Sequence, residues 1–114
     1  MTALLLAGAL ALLSPAEVPW CGQAKITGYS RYEYGPFTAD GTSIFTAEPI
    51  AAASWDVALG SLASIEGLGV YRVADRGMLG RGEPMPWVDV AVWDRATAFS
   101  LTSVRRVCFR RPAL

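Results

Sequence analysis

Short runs in which apolar and polar residues alternate, each cut off by Gly, Pro or Asp, leave this chain few folds to choose from. "GVYRVAD" (69–75) sets Val70, Arg72 and Ala74 against Tyr71 and Val73. "PWVDVAVW" (86–93) places Val88, Val90 and Val92 on one face and Trp87, Asp89, Ala91 and Trp93 on the other. A period of two sends successive side chains to opposite faces of a strand, so each run reads as a β-strand with one buried side. "KITGYSRYEY" (25–34), "PIAAAS", "GSLASI" and the closing "SVRRVCFRR" supply further strands. "GPFTADGTSIF" is a turn region with Asp40-Gly41 as a tight turn. Only "DRATAFSLT" (94–102) reads as a helix, with Asp94 as N-cap and Ala98 and Leu101 facing inward. About six short strands and one short helix argue for an all-β fold, a small closed barrel. The 114 residues suffice for one modest core, and no linker or internal repeat divides them.

The residues available restrict the chemistry as firmly as the pattern restricts the fold. There is no histidine, which removes Ser-His-Asp and Cys-His catalysis and any metal site that needs imidazole. Two cysteines cannot by themselves make a structural zinc site. No metal and no cofactor are therefore expected, and the chemistry falls to carboxylates, hydroxyls and tyrosines. Ten Lys and Arg balance ten Asp and Glu, so no nucleic-acid partner is expected from overall charge. Arg105, Arg106, Arg110 and Arg111 are a local exception, either a solvated face or one side of a contact with anionic polymer.

Residues 1–16, "MTALLLAGALALLSPA", differ from all that follows. Their apolar stretch is too short for a stable membrane span, which needs ~20 residues. It suits a signal-peptide h-region, and Ser14-Pro15-Ala16 offers small residues for a cleavage site. Export is the expectation, to periplasm, cell wall or medium, and a buried N-terminal helix is the alternative. Cys21 and Cys108 fit an exported chain, where an even pair is ordinarily a disulfide. Cys21 is placed just before the first strand and Cys108 inside the last, so a bridge would tie the domain's ends together.

Four local motifs stand in a telling order: Thr38 to Gly41 (T-x-[DN]-G), Leu59 to Ser61 (L-G-[ST]), Asp75 to Gly77 (D-R-G) and the later "VDV" of Val88 to Val90. With them, residues 25–110 resemble the three-aspartate domain, the related barrel of rare lipoprotein A and the first domain of expansins. The resemblance implies a six-stranded double-psi β-barrel over residues 17–114 that acts on or binds cell-wall polysaccharide. In the enzymes of that group a carboxylic acid protonates the glycosidic oxygen between muramic acid and glucosamine. The same group then serves as base while the muramyl 6-hydroxyl closes an anhydro ring. Asp75 and Asp89 match two of the family's aspartates and are the catalytic candidates. Upstream of the L-G-[ST] turn the family carries an aspartate or a histidine, and this chain has Ala53, with Asp56 three residues on. Peptidoglycan or a related polysaccharide is the implied partner.

Plainer roles stand beside these. Asp75 can be a turn carboxylate that accepts backbone N–H bonds. Asp89 can be one half of a salt bridge to Arg76 or Arg81, and Asp40 can simply form its turn. Of the aromatic residues, most belong in a core, while Trp55 and Trp87 lie in turn-like contexts and are the candidates for stacking on sugar. Asp75 is expected at a strand end beside a groove, with Gly77 and Gly80 letting the chain turn away and Asp89 within reach on the neighbouring strand. Three functions remain open: a lytic transglycosylase, a non-catalytic wall-binding module, and a structural or interaction barrel from a phage or surface assembly.

Overall fold

A computed structural model describes residues 19–54, 56–76 and 84–111. The leader at 1–16, Trp55, Gly77, Gly80 and Arg81 lie outside the described residues. Six strands, β1 (Trp20–Ser30), β2 (Ile50–Ala53), β3 (Leu62–Ile65), β4 (Gly69–Arg76), β5 (Trp87–Val92) and β6 (Ser103–Arg110), close into a barrel in the order β1-β5-β2-β4-β3-β6. A short helix, α1 (Arg95–Ser100), joins β5 to β6. β1 runs parallel to β5 and β2 parallel to β4, while the other neighbours are antiparallel. The connection from β1 to β2 steps over β5, and that from β4 to β5 steps over β2. The two crossings interlock, which is the arrangement a double-psi barrel requires.

Alternation explains which residues fill the barrel. Ala24, Ile26, Ala51, Ala53, Ala63, Ile65, Val73, Val88, Val90, Val107 and Phe109 belong to one buried apolar cluster, two from every strand but β4. Small residues on β2 leave room for the valines and isoleucines of the same cluster. A second buried cluster, Tyr29, Ile44, Ile50, Ala52, Ala74 and Ala91, packs on the other face, under the β1–β2 connection.

Two strand boundaries differ from the sequence reading. β1 starts at Trp20, so Cys21 lies inside it, directly opposite Cys108 of β6 and bonded to it. Cross-strand partners share a face, which is why the pair meets without any displacement of the chain. β1 also ends at Ser30 rather than running on to Tyr34, and Arg31–Glu33 form a 3-10 turn. Ser30 accepts from the Tyr32 N–H at 3.4 Å, and the turn buries Arg31.

Arg31 then organises the β1–β2 connection. Its guanidinium donates to the carbonyls of Ile44, Thr46 and Glu48, and it lies 4.5 Å from the Trp93 ring centre. From the outside, Arg72 of β4 holds the same connection through Asp40, Glu48 and Thr42. The Asp40-Gly41 turn forms as expected, with Gly41 N–H donating to Thr38 O at 3.0 Å and Gly41 at φ 87°. Asp40 does more than turn the chain, because its carboxylate accepts from Thr38, from the Thr42 N–H and hydroxyl, and from Arg72.

Helix α1 carries the expected N-cap. Asp94 accepts from the Thr97 N–H at 2.7 Å and the Thr97 hydroxyl at 2.8 Å. Its buried face meets β1 at Gly28, where an added Cβ would stand 2.8 Å from Ala98 Cα. Only glycine allows so close an approach of helix to strand.

Candidate functional site

On the outer face of the barrel, strand register assembles a row of side chains from four strands. Thr27 (β1) pairs with Asp89 (β5), Asp89 pairs with Ala52 (β2), and Ala52 pairs with Asp75 (β4). Asp75 and Asp89 are thus not on neighbouring strands, as the sequence reading expected. β2 runs between them, and Ala52 fills the gap with a methyl group. Adjacent strands lie ~4.8 Å apart, so the two backbones are separated by roughly twice that distance.

Asp75 reaches this face through an irregularity in β4. The register passes from Ala51 opposite Val73 to Ala52 opposite Asp75, which leaves Ala74 as the extra residue. In a straight strand Asp75 would share the inward face of Val73; one inserted residue turns it outward. Its Oδ1 accepts from the Ala39 N–H at 3.0 Å and from the Arg76 N–H at 2.9 Å. The backbone-accepting role is therefore present, and one of its donors belongs to the distant β1–β2 connection rather than to a local turn.

Asp89 is held differently. The Trp87 indole N–H donates to Thr27 Oγ1 at 2.8 Å, and the Thr27 hydroxyl donates to Asp89 Oδ1 at 2.9 Å. Thr27 is the partner that the described residues give Asp89, and Arg81, one of the two arginines considered from sequence, lies outside them. Burial pushes the Asp89 carboxyl up from its ordinary value, and the Thr27 hydrogen bond offsets part of that shift. Trp87 forms a wall of a pocket of about 320 Å³ lined also by Lys25, Pro84, Met85, Thr102, Ser103 and Val104. The Lys25 ammonium lies 4.1 Å from the centre of the Trp87 ring. The pocket and the Asp89 carboxyl are therefore linked through Trp87 and Thr27.

Tyr29, two residues beyond Thr27 on the same face of β1, completes the group. It packs with Ala52 and Ala74, the residues beside and before the two aspartates. Burial raises its pKa well above the usual phenol range, the charges of Asp75 and Asp89 raise it further, and Arg31 opposes them. Among the described residues nothing hydrogen-bonds its hydroxyl.

Ala53, the position that the resemblance sets against an acid, points into the barrel and is fully buried in the apolar cluster. A carboxylate there would be desolvated without a charged neighbour in that cluster. Asp56 is exposed in the segment after β2. Counting along the motif thus selects Ala53, while the position between the two aspartates is Ala52.

Of the two stacking candidates, Trp87 lines the pocket and Trp55 lies outside the described residues, and a further aromatic surface stands elsewhere. Tyr32 stands 5.7 Å from Phe45 and 6.0 Å from Trp93, ring centre to ring centre, and all three are exposed. Tyr34 and Phe37 are exposed nearby in sequence, and Tyr34 meets Tyr29 edge to face at 5.1 Å. Alternation along "KITGYS" carries a signal for Thr27 and Tyr29, which share the face of Lys25. Tyr32 and Phe45 sit on the irregular β1–β2 connection, and Trp93 follows the end of β5. Among the described residues no group of three or more His, Cys, Asp or Glu side chains is placed to hold a metal ion. No helix among them is long and apolar enough to cross a membrane. No family model matches the chain, and no curated protein or solved structure matches it either.

Proposed function

We propose that this barrel is an exported domain that engages peptidoglycan glycan strands at the outer-face row of Thr27, Asp89, Ala52 and Asp75. The observation that carries the reading is Asp89: a half-buried outer-face carboxyl, its pKa raised by burial, joined through Thr27 and Trp87 to a pocket. The resemblance to the three-aspartate and rare lipoprotein A barrels supplies the substrate class. The disulfide between Cys21 and Cys108 is compatible with an oxidising compartment.

In the catalytic form of this reading, Asp89 gives its proton to the glycosidic oxygen as the bond to the muramyl anomeric carbon breaks. The muramyl 6-hydroxyl then bonds to that carbon and returns its proton to Asp89, leaving a 1,6-anhydro ring and restoring the acid. One carboxyl performs both steps, so the paired-carboxylate spacing of ordinary glycosidases is not needed. Asp75, fixed by two backbone N–H groups, provides negative charge on the far side of Ala52 for the oxocarbenium-like state.

A second reading, a wall-binding module without turnover, is favoured by one feature. Ala52 and Ala53 leave the region between the two aspartates without a third acid, while exposed rings at Tyr32, Phe45 and Trp93 offer apolar faces for sugar. Incubation with purified murein followed by mass spectrometry separates the two. Anhydromuramyl products that disappear in Asp89→Asn support catalysis. Sedimentation with insoluble wall and no products supports binding alone. Neither cleavage nor sedimentation would reject both readings and leave a structural barrel.

A further inference from the structure

At the wall of the pocket of about 320 Å³, the Lys25 ammonium meets no opposite charge. It stands 4.1 Å from the centre of the Trp87 ring, and among the described residues no carboxylate forms an ion pair with it. Asp89, two residues on from Trp87, is turned to the Thr27 hydroxyl instead. A second cation stands behind the same wall. Arg105 donates from Nε to Ser103 Oγ at 2.9 Å and from Nη1 to the Glu66 carbonyl at 3.0 Å, and it too forms no ion pair among the described residues. The remaining walls, from Pro84, Met85, Trp87 and Val104, are apolar, and Val104 is 57% exposed. A volume of this size lies at the lower end of the range for small-molecule pockets.

We propose that this pocket binds a small carboxylic acid with an apolar body, its carboxylate against the Lys25 ammonium and its body against Trp87, Met85 and Val104. The class of ligand follows from what the walls can still bond. The Trp87 indole N–H is given to Thr27, and Ser103 gives its hydrogen to the Leu101 carbonyl while accepting from Arg105. The Lys25 ammonium and the Thr102 hydroxyl are left to orient a ligand. A sugar, with hydroxyls all round, would set most of them unpaired against Pro84, Met85 and Val104. Lys25 also covers the Trp87 ring, where a pyranose would have to stack. An amine would meet two cations and be repelled, and a neutral apolar molecule would leave Lys25 without a counter-charge. An anionic head on an apolar body satisfies both parts of the pocket. The site lies apart from the row of aspartates and does not depend on the glycan reading.

The test titrates the nitrogen-15-labelled full chain with 4-phenylbutyrate, 4-phenylbutanol and 4-phenylbutylamine, which share one body and differ in the head group. Two-dimensional NMR reads the Trp87 indole N–H and the Val104 amide, and thermal melts check the folding of each variant. The acid should shift both signals and bind at least about threefold more tightly than the alcohol, the gain expected of one solvent-facing ion pair. The amine should bind most weakly. Lys25→Gln should remove the preference for the acid and leave the alcohol's affinity unchanged, while Lys25→Arg should keep the preference. Arg110→Gln, which removes an exposed cation at the far end of β6, should change nothing. Equal affinity for acid and alcohol overturns the proposal, as do shifts centred away from Trp87 and Val104. A preference for the acid that survives Lys25→Gln, or that Arg110→Gln also removes, overturns it in favour of general surface charge. An acid that does not bind at all overturns it too. The head-group comparison and the location of the shifts are read on the wild type, so they decide the proposal even where a variant folds poorly.

Discussion

Replacing Asp40 with Asn should loosen the β1–β2 connection and remove a measurable, pH-dependent part of the stability. Burial opposes ionisation of this carboxyl, but hydrogen bonds from Thr42, Thr38 and Arg72 outweigh it and bring the pKa from 3.8 down to about 2. The side chain is 20% exposed but the residue as a whole is open to solvent, so screening takes a sizeable share. A shift of nearly two units, discounted for that screening, corresponds to about 1–2 kcal/mol of stability. Because the folded value is the lower one, that contribution is complete above about pH 4 and is lost as the pH falls toward 2. The connection that Asp40 holds also donates the Ala39 N–H to Asp75, so its release reaches the candidate site. Urea denaturation of both proteins at pH 7 and pH 2 is the assay. For a urea slope of ~1–3 kcal/mol per molar, Asp40→Asn should lower the midpoint by roughly 1 M at pH 7. At pH 2 the two midpoints should converge. Coincident curves at pH 7 would refute the reasoning, and a gap that persists unchanged at pH 2 would show that shape rather than charge is what Asp40 supplies.

Three further outcomes follow from particular contacts. Reducing the Cys21–Cys108 bridge, which closes a separation of 87 residues, should cost about 4.5 kcal/mol by loop-closure entropy. The urea slope should rise at the same time as the unfolded chain expands, and a loss below ~1 kcal/mol would contradict the entropic account. Gly28→Ala should destabilise by roughly 1–3 kcal/mol, since the new methyl would meet the Ala98 backbone at 2.8–2.9 Å. An unchanged melting temperature would mean that α1 shifts freely on β1. Removing the cap by Asp94→Ala should lower the melting temperature, and a neutral result would show that packing on Gly28 alone holds the helix.

Much of the architecture was legible along the chain because it rests on short-range rules. Period-two alternation marked β1, β4 and β5, short runs between turn signals marked the other strands, the Asp94 cap marked the helix, and Asp40-Gly41 marked its turn. The cysteine pair was readable for the same reason, as an even count beside an apolar leader. The candidate site was legible in kind, since Asp75 and Asp89 both reach one outer face. Its arrangement was not. Whether Asp75 faces in or out depends on the extra residue at Ala74, and a bulge is defined by the partner strand, not by its own sequence. The interposition of β2 between the two aspartates follows from strand order, which local periodicity does not encode. Thr27 and Tyr29 gained their roles from other strands of the barrel, and Arg31 from carbonyls of the connection that it folds around itself. Sequence by itself thus determined which segments become strands and which side of each is apolar, because those are properties of neighbouring residues. Only the closed barrel decided which polar groups meet on its outer face, because the pairing of distant strands sets register, and register sets every side-chain neighbour across the sheet.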